Sequence, residues 1–272
     1  MNRFRILFLS IFFNFLYLSL VAQVQEILPS GVAPASADVV FTERWLAFSN
    51  PATLSREQSV VASVGYENRY FSSELSDEYF SLAIPTQYFN IGASFNFFGY
   101  ADYHEMMAAL TFARKFGRVA VGVEFDYFNM FLPDEVGYRH AFTAQVGLQA
   151  DITDKCVVGF RMFNPSVSQI DYNDVARRLP VMMHVGCKYQ FIDDLDMLVE
   201  LGYVLNRGVD WAVGMEYRIM PQLLVRTGVR GSDYVVPSLG VGVGFAGFMF
   251  DLMAEADFRI GLSLLSNLSY KF

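Results

Sequence analysis

Residues 258–272 read FRIGLSLLSNLSYKF. Successive side chains of an extended strand point to opposite sides, so Ile260, Leu262, Leu264, Leu268, Tyr270 and Phe272 share one face. A sheet edge that stays apolar to its last residue is a hazard in water, because its unpaired backbone groups and greasy face invite other chains. That face asks for an apolar solvent.

The segments upstream make the same demand. After residue 57, fourteen stretches of strand length succeed one another, at 58–69, 77–85, 87–98, 105–115, 117–130, 137–150, 155–163, 179–190, 195–205, 208–219, 221–230, 234–245, 247–257 and 259–272. Their apolar period is two rather than 3.6. In 117–130, Val119, Val121, Val123, Phe125 and Tyr127 oppose Arg118, Ala120, Gly122, Glu124 and Asp126. In 208–219, Trp211, Val213, Met215, Tyr217 and Ile219 oppose Asp210, Ala212, Gly214, Glu216 and Arg218. One such strand would also suit a soluble sandwich. Fourteen in succession, with no break in composition to mark a second domain, point to a single all-β unit.

Composition says which solvent that unit meets. The 272 residues are 53% hydrophobic and only 18% charged, with a net charge of −8, which is too apolar for an average soluble domain. Beyond residue 22 no run of eighteen uncharged apolar residues occurs, so no later helix is expected to cross a bilayer. A bilayer admits only helices or closed barrels, since any open edge leaves backbone groups unpaired in hydrocarbon. Strands of about ten residues cross it when tilted. The expected fold is a transmembrane antiparallel β-barrel of about fourteen strands.

The connections agree. Every second one is short, reading PTQ, KFGR, DITDK, FIDD, MPQ and AG. The other set holds RYFSSELSD, GYADYHE, FLPDEVG and the longest, NPSVSQIDYNDVARR at 164–178. Short turns on one side, longer loops on the other and an even strand count belong to outer-membrane barrels, whose termini both lie on the short-turn side. Residues 1–22 carry Arg3, Arg5 and the apolar run ILFLSIFFNFLYLSLVA before Gln23, the layout of a secretory signal peptide ending at Ala22. Domain organisation is thus read as signal peptide 1–22, hatch segment 23–57 and barrel 58–272, with export to the outer membrane of a Gram-negative cell.

Two resemblances add to this reading. The final strand, with Tyr270 and Phe272 on its apolar face, resembles the signal by which the barrel assembly machinery recognises outer-membrane barrels. The stretch WLAFSNPATLS at 45–55 does not alternate, and Pro51 lacks the donor a lipid-facing strand would need. With the fourteen strands, it resembles the N-terminal hatch of the FadL-like family, which includes PorV- and PorQ-type proteins of Bacteroidota. On that resemblance Trp45, Ala47, Phe48, Asn50, Pro51, Ala52 and Leu54 match the hatch element. Thr53 stands where a Gly is usual, and GVAPASADVVF replaces a glycine-rich segment upstream.

The resemblance implies uptake of a hydrophobic small molecule, held near Trp45 and Phe48 and passed through a lateral gap or past the hatch. Its PorV- and PorQ-type members imply the alternative, a component or shuttle of type IX protein secretion that grips a secretion-system protein. Outer-membrane lipid is a partner on either reading, and no cofactor or metal is implied. The lumen face holds Glu124, Asp126, Arg139, Gln145, Lys188, Glu200, Glu216, Arg218, Arg226, Arg230, Asp251, Glu255 and Arg259, with Arg226 beside Glu216, so opposed charges are expected to pair and fill the interior. His104, His140 and His184 lie apart, no Gly-x-Ser-x-Gly elbow occurs, and no enzyme activity is expected. An acidic chain with no basic cluster beyond Arg177 and Arg178 does not suit nucleic acid. Cys156 and Cys187, both on the lipid face near the short-turn end, are expected to face each other as two thiols.

Overall fold

The computed structural model describes residues 31–132, 137–172 and 175–272. The signal peptide expected at 1–22, and the first part of the expected hatch segment, lie outside these residues. Fourteen strands close into an antiparallel barrel: β1 (Val61–Asn68), β2 (Ser76–Ile84), β3 (Asn90–Tyr100), β4 (Tyr103–Phe116), β5 (Val119–Leu132), β6 (Gly137–Thr153), β7 (Cys156–Phe163), β10 (Met182–Ile192), β11 (Leu195–Val204), β12 (Gly208–Met220), β13 (Leu223–Gly231), β14 (Val235–Phe245), β15 (Phe248–Asp257) and β16 (Gly261–Lys271). A separate two-stranded hairpin, β8 (Gln169–Tyr172) with β9 (Val175–Arg178), rises from the connection between β7 and β10. The ring closes where β1 pairs with β16, from Val61 opposite Lys271 to Asn68 opposite Leu264.

The barrel is apolar outside and charged inside. On β5, Phe125 is 57% exposed while its neighbours Glu124 and Asp126 are 1% and 2% exposed. Leu239, Phe250 and Leu252 likewise face outward while Asp251, Glu216 and Arg226 are buried. This inversion is stable only where the surroundings of the wall are hydrocarbon, which makes the outer face membrane-spanning. Turns at the end where β1 begins are mostly two residues long, as at 117–118, 154–155, 193–194, 221–222 and 246–247. Three of them adjoin a break in register, at Asp151/Thr153, Gln190/Ile192 and Arg218/Met220, and such bulges sharpen twist where a strand must turn back.

The opposite end is less even. β6 pairs with β7 only from Gln145 to Thr153, so residues 137–144 continue above the end of β7. The long connection packs beside that extension. Asn164 pins its base: its backbone N–H donates to Ala144 O at 2.9 Å, its amide donates to Leu179 O at 3.0 Å, and its Oδ1 accepts from Thr143 at 2.8 Å.

Candidate functional site

Residues 31–57 thread the lumen without joining the wall, and the site is built around them. Asn50 caps a 3-10 turn over Pro51–Arg56: its Oδ1 accepts from the N–H of Ala52 at 3.0 Å, and Pro51 supplies a first helical position that needs no donor. The Asn50 amide donates to Val39 O at 2.8 Å, tying the turn to the preceding coil. Two wall glycines make room for it. A Cβ on Gly122 would lie 2.3 Å from the carbonyl carbon of Pro51, and one on Gly147 would lie 2.0 Å from Asn50 Oδ1.

Polar groups of the wall hold the rest of the hatch. Asp38 pairs with Arg161 at 3.0 Å, and the N–H of Val39 donates to Glu200 at 3.1 Å. Arg56 reaches Asp151 at 2.7 Å, Ser36 donates to Glu255 at 3.1 Å, and Gln145 donates to Ser49 O at 2.8 Å. Arg44 pairs with Asp251, which also accepts from Arg226, which in turn holds Glu216. The expected pairing of Arg226 with Glu216 is present, and the lumen is filled by chain and ion pairs. Removing one partner of such a buried set strands the other at a cost of roughly 3–5 kcal/mol.

Trp45 and Phe48 do not line one pocket, contrary to expectation. Trp45 packs with Leu54, Val61, Ala83 and Ala113 near the short-turn end. The left-handed backbone at Phe48, φ +57°, turns its ring the other way, into a cluster with Met107, Phe128, Met130, Phe163, Ile170, Leu179 and Met182. Ile170 and Leu179 come from the long connection, which thereby caps this packed apolar cluster over the hatch. A bulky residue in that backbone region is strained, and such strain persists only where its surroundings enforce it.

Beside Phe48 lies a cavity of about 130 Å³. The hatch supplies Ala35, Asp38 and Phe48, the wall supplies Arg161, Met182, His184, Glu200, Val204, Trp211 and Val236, and exposed Arg207 and Ser232 stand at the long-loop end. His184 Nδ1 lies 2.6 Å from Glu200 Oε1, while its Nε2, like Asp38 Oδ1, is buried with no hydrogen-bond partner among the described residues. Burial pushes the Asp38 carboxyl up to about 6, against the opposing pull of Arg161. Glu200 falls among the expected lumen residues, whereas Asp38, Arg161 and His184 as the partner of Glu200 escaped sequence reasoning. Parity would have found the wall members, because Arg161 alternates with lumen-facing Val157 and Gly159, and His184 with Gly186 and Lys188.

The remaining candidates lie on the outer face. Tyr270 stacks against Phe248 with ring centres 4.4 Å apart and against Phe272 at 4.7 Å, and the Phe272 N–H donates to Val60 O, extending the seam. Cys156 and Cys187 are free thiols with sulfurs 3.8 Å apart. They are diagonal rather than directly opposite, since Cys187 faces Val158 and Cys156 faces Tyr189.

No family model matches the chain, and no curated protein matches it significantly in sequence. Its fold is that of FadL-like barrels. It is similar to the Pseudomonas putida toluene transporter TodX (TM-score 0.64, 11% identity, 88% of this chain and 96% of that one). A Pseudomonas aeruginosa FadL homologue (0.61, 12%, 90% and 99%) and the monoaromatic hydrocarbon channel CymD (0.60, 13%, 89% and 98%) are similar in the same way.

Proposed function

We propose that this protein is an outer-membrane channel for the uptake of small hydrophobic molecules. The observation that carries the reading is the packed apolar cluster at Phe48 with the cavity beside it, on a hatch that otherwise blocks the lumen with ion pairs. Ions and sugars meet buried, paired charge. An apolar solute entering from the long-loop end meets methionines and phenylalanines, and methionine side chains adapt to varied shapes. The likeness in fold to hydrocarbon channels supports the same direction, and neither the lumen nor the likeness favours a catalytic role. The short-turn end would then face the periplasm and the long connection the exterior.

Expression in a Gram-negative host that lacks hydrophobic-solute channels tests this. Uptake of a labelled single-ring hydrocarbon should rise severalfold over empty-vector cells, with labelled glucose unchanged. Equal entry of both solutes would mark a general pore and refute the reading.

A further inference from the structure

We propose that the cavity beside Phe48 binds a small aromatic molecule carrying one hydroxyl group, a phenol rather than a plain hydrocarbon. This rests on the uptake reading and narrows its substrate class. Size sets the first limit: an engineered protein cavity of about 150 Å³ accepts benzene, so a space of about 130 Å³ suits one ring and excludes a long acyl chain. Surface sets the second, because Phe48 offers an aromatic ring and Met182, Val204 and Val236 supply apolar side chains. Aromatic pairs favour offset and edge contacts.

The polar wall decides the substituent. His184 uses Nδ1 on Glu200 and Asp38 uses Oδ2 on Arg161, which leaves His184 Nε2 and Asp38 Oδ1 without a partner among the described residues. Both residues line the cavity. Buried polar atoms left unpaired are costly, so a ligand that supplies their missing bond gains what a hydrocarbon forfeits. A hydroxyl both donates and accepts, and it serves a carboxylate oxygen or an imidazole nitrogen in either tautomer. Asp38, Glu200 and Asp210 line the cavity together with Arg161, Arg207 and Arg230, three charges of each sign, so neither an anionic nor a cationic ligand is favoured. A neutral ring with one hydroxyl is the chemistry that remains.

Equilibrium binding of radiolabelled p-cresol and p-xylene to the native barrel in detergent compares ligands of one shape that differ by a hydroxyl replaced with a methyl. p-Cresol should bind about tenfold more tightly. His184→Phe should lower that ratio while p-xylene still binds, with Asp38 left as the hydroxyl's partner, whereas His184→Gln, which keeps a hydrogen-bonding group, should retain more of the preference. A heat-modifiable band on gels verifies that each barrel is folded. Equal or tighter binding of p-xylene by the native chain overturns the phenol assignment and leaves uptake standing. No binding of either ligand, in a chain whose cells still take up aromatics, overturns this site. No binding and no uptake overturns both proposals.

Discussion

Replacing Gly122 and Gly147 together with alanine should unseat the hatch and leave the barrel wall whole. At Gly122 the added methyl would sit 2.3 Å from the Pro51 carbonyl carbon and 2.5 Å from the Ala52 nitrogen, both backbone atoms with no side-chain torsion to relieve them. At Gly147 it would sit 2.0 Å from Asn50 Oδ1 and 2.8 Å from Pro51 Cδ, displacing the oxygen that caps the turn. The turn must retreat by about 1 Å at Pro51 to restore ordinary contact. Overpacking of this kind costs roughly 1–3 kcal/mol per site, and loss of the cap adds about 1 kcal/mol. Even the low end shifts the ratio of seated to unseated hatch by more than tenfold. Conductance across planar bilayers reads the result: the native chain should be ion-tight and the double variant should leak. Gly244→Ala, whose methyl comes nearest to the flexible tail of Met249 at 3.3 Å and meets backbone only at 3.8 Å, is the control and should stay tight. A folded double variant as tight as the native chain would refute the glycine seats.

Arg226→Met strands buried Glu216 while Asp251 keeps Arg44, so it should lower the unfolding midpoint by the equivalent of roughly 3–5 kcal/mol. Arg118→Met, at the exposed pair with Asp154, should cost no more than about 1 kcal/mol in the same urea titration. The Asp38 carboxyl is raised to about 6 from 3.8, so the docked hatch binds its proton more tightly than an undocked one; docking is favoured fully below pH 3.8 and loses that contribution as pH rises through about 6. Conductance should therefore increase from pH 5 to pH 7 in the native chain, with a smaller pH increment in Asp38→Asn; an unchanged increment would remove Asp38 from the latch. A short bifunctional thiol reagent should join Cys156 to Cys187 within one chain, detected by mass spectrometry, because their sulfurs lie 3.8 Å apart. Cross-links only between chains would contradict the register of β7 with β10.

Most of the wall was legible because alternation on a strand carries two independent signals, a lipid face and a lumen face. Glu124 and Asp126 mark one side of β5 as surely as Val123 and Phe125 mark the other. The hairpin of β8 and β9 was read as loop: each strand is four residues long, too short for a periodic pattern to emerge. The hatch was legible at its turn, where Asn50 and Pro51 carry local geometry. Its course was not, because partners over a hundred residues away set it, as Arg161 does for Asp38 and Gln149 for Val39. The same distance explains Trp45 and Phe48. Three residues apart in sequence, they part where the backbone at Phe48 turns left-handed, and no residue type in WLAFSNP announces that turn.

The path through the lumen is tested most directly by filling the cavity. Ala212 lines it from β12 and is buried against the hatch, so Ala212→Phe places a ring in the space assigned to the solute. In cells that make the variant as a folded, heat-modifiable barrel, uptake of a labelled single-ring aromatic should fall to the empty-vector level. Uptake at the native rate through the filled barrel would contradict passage by way of Phe48.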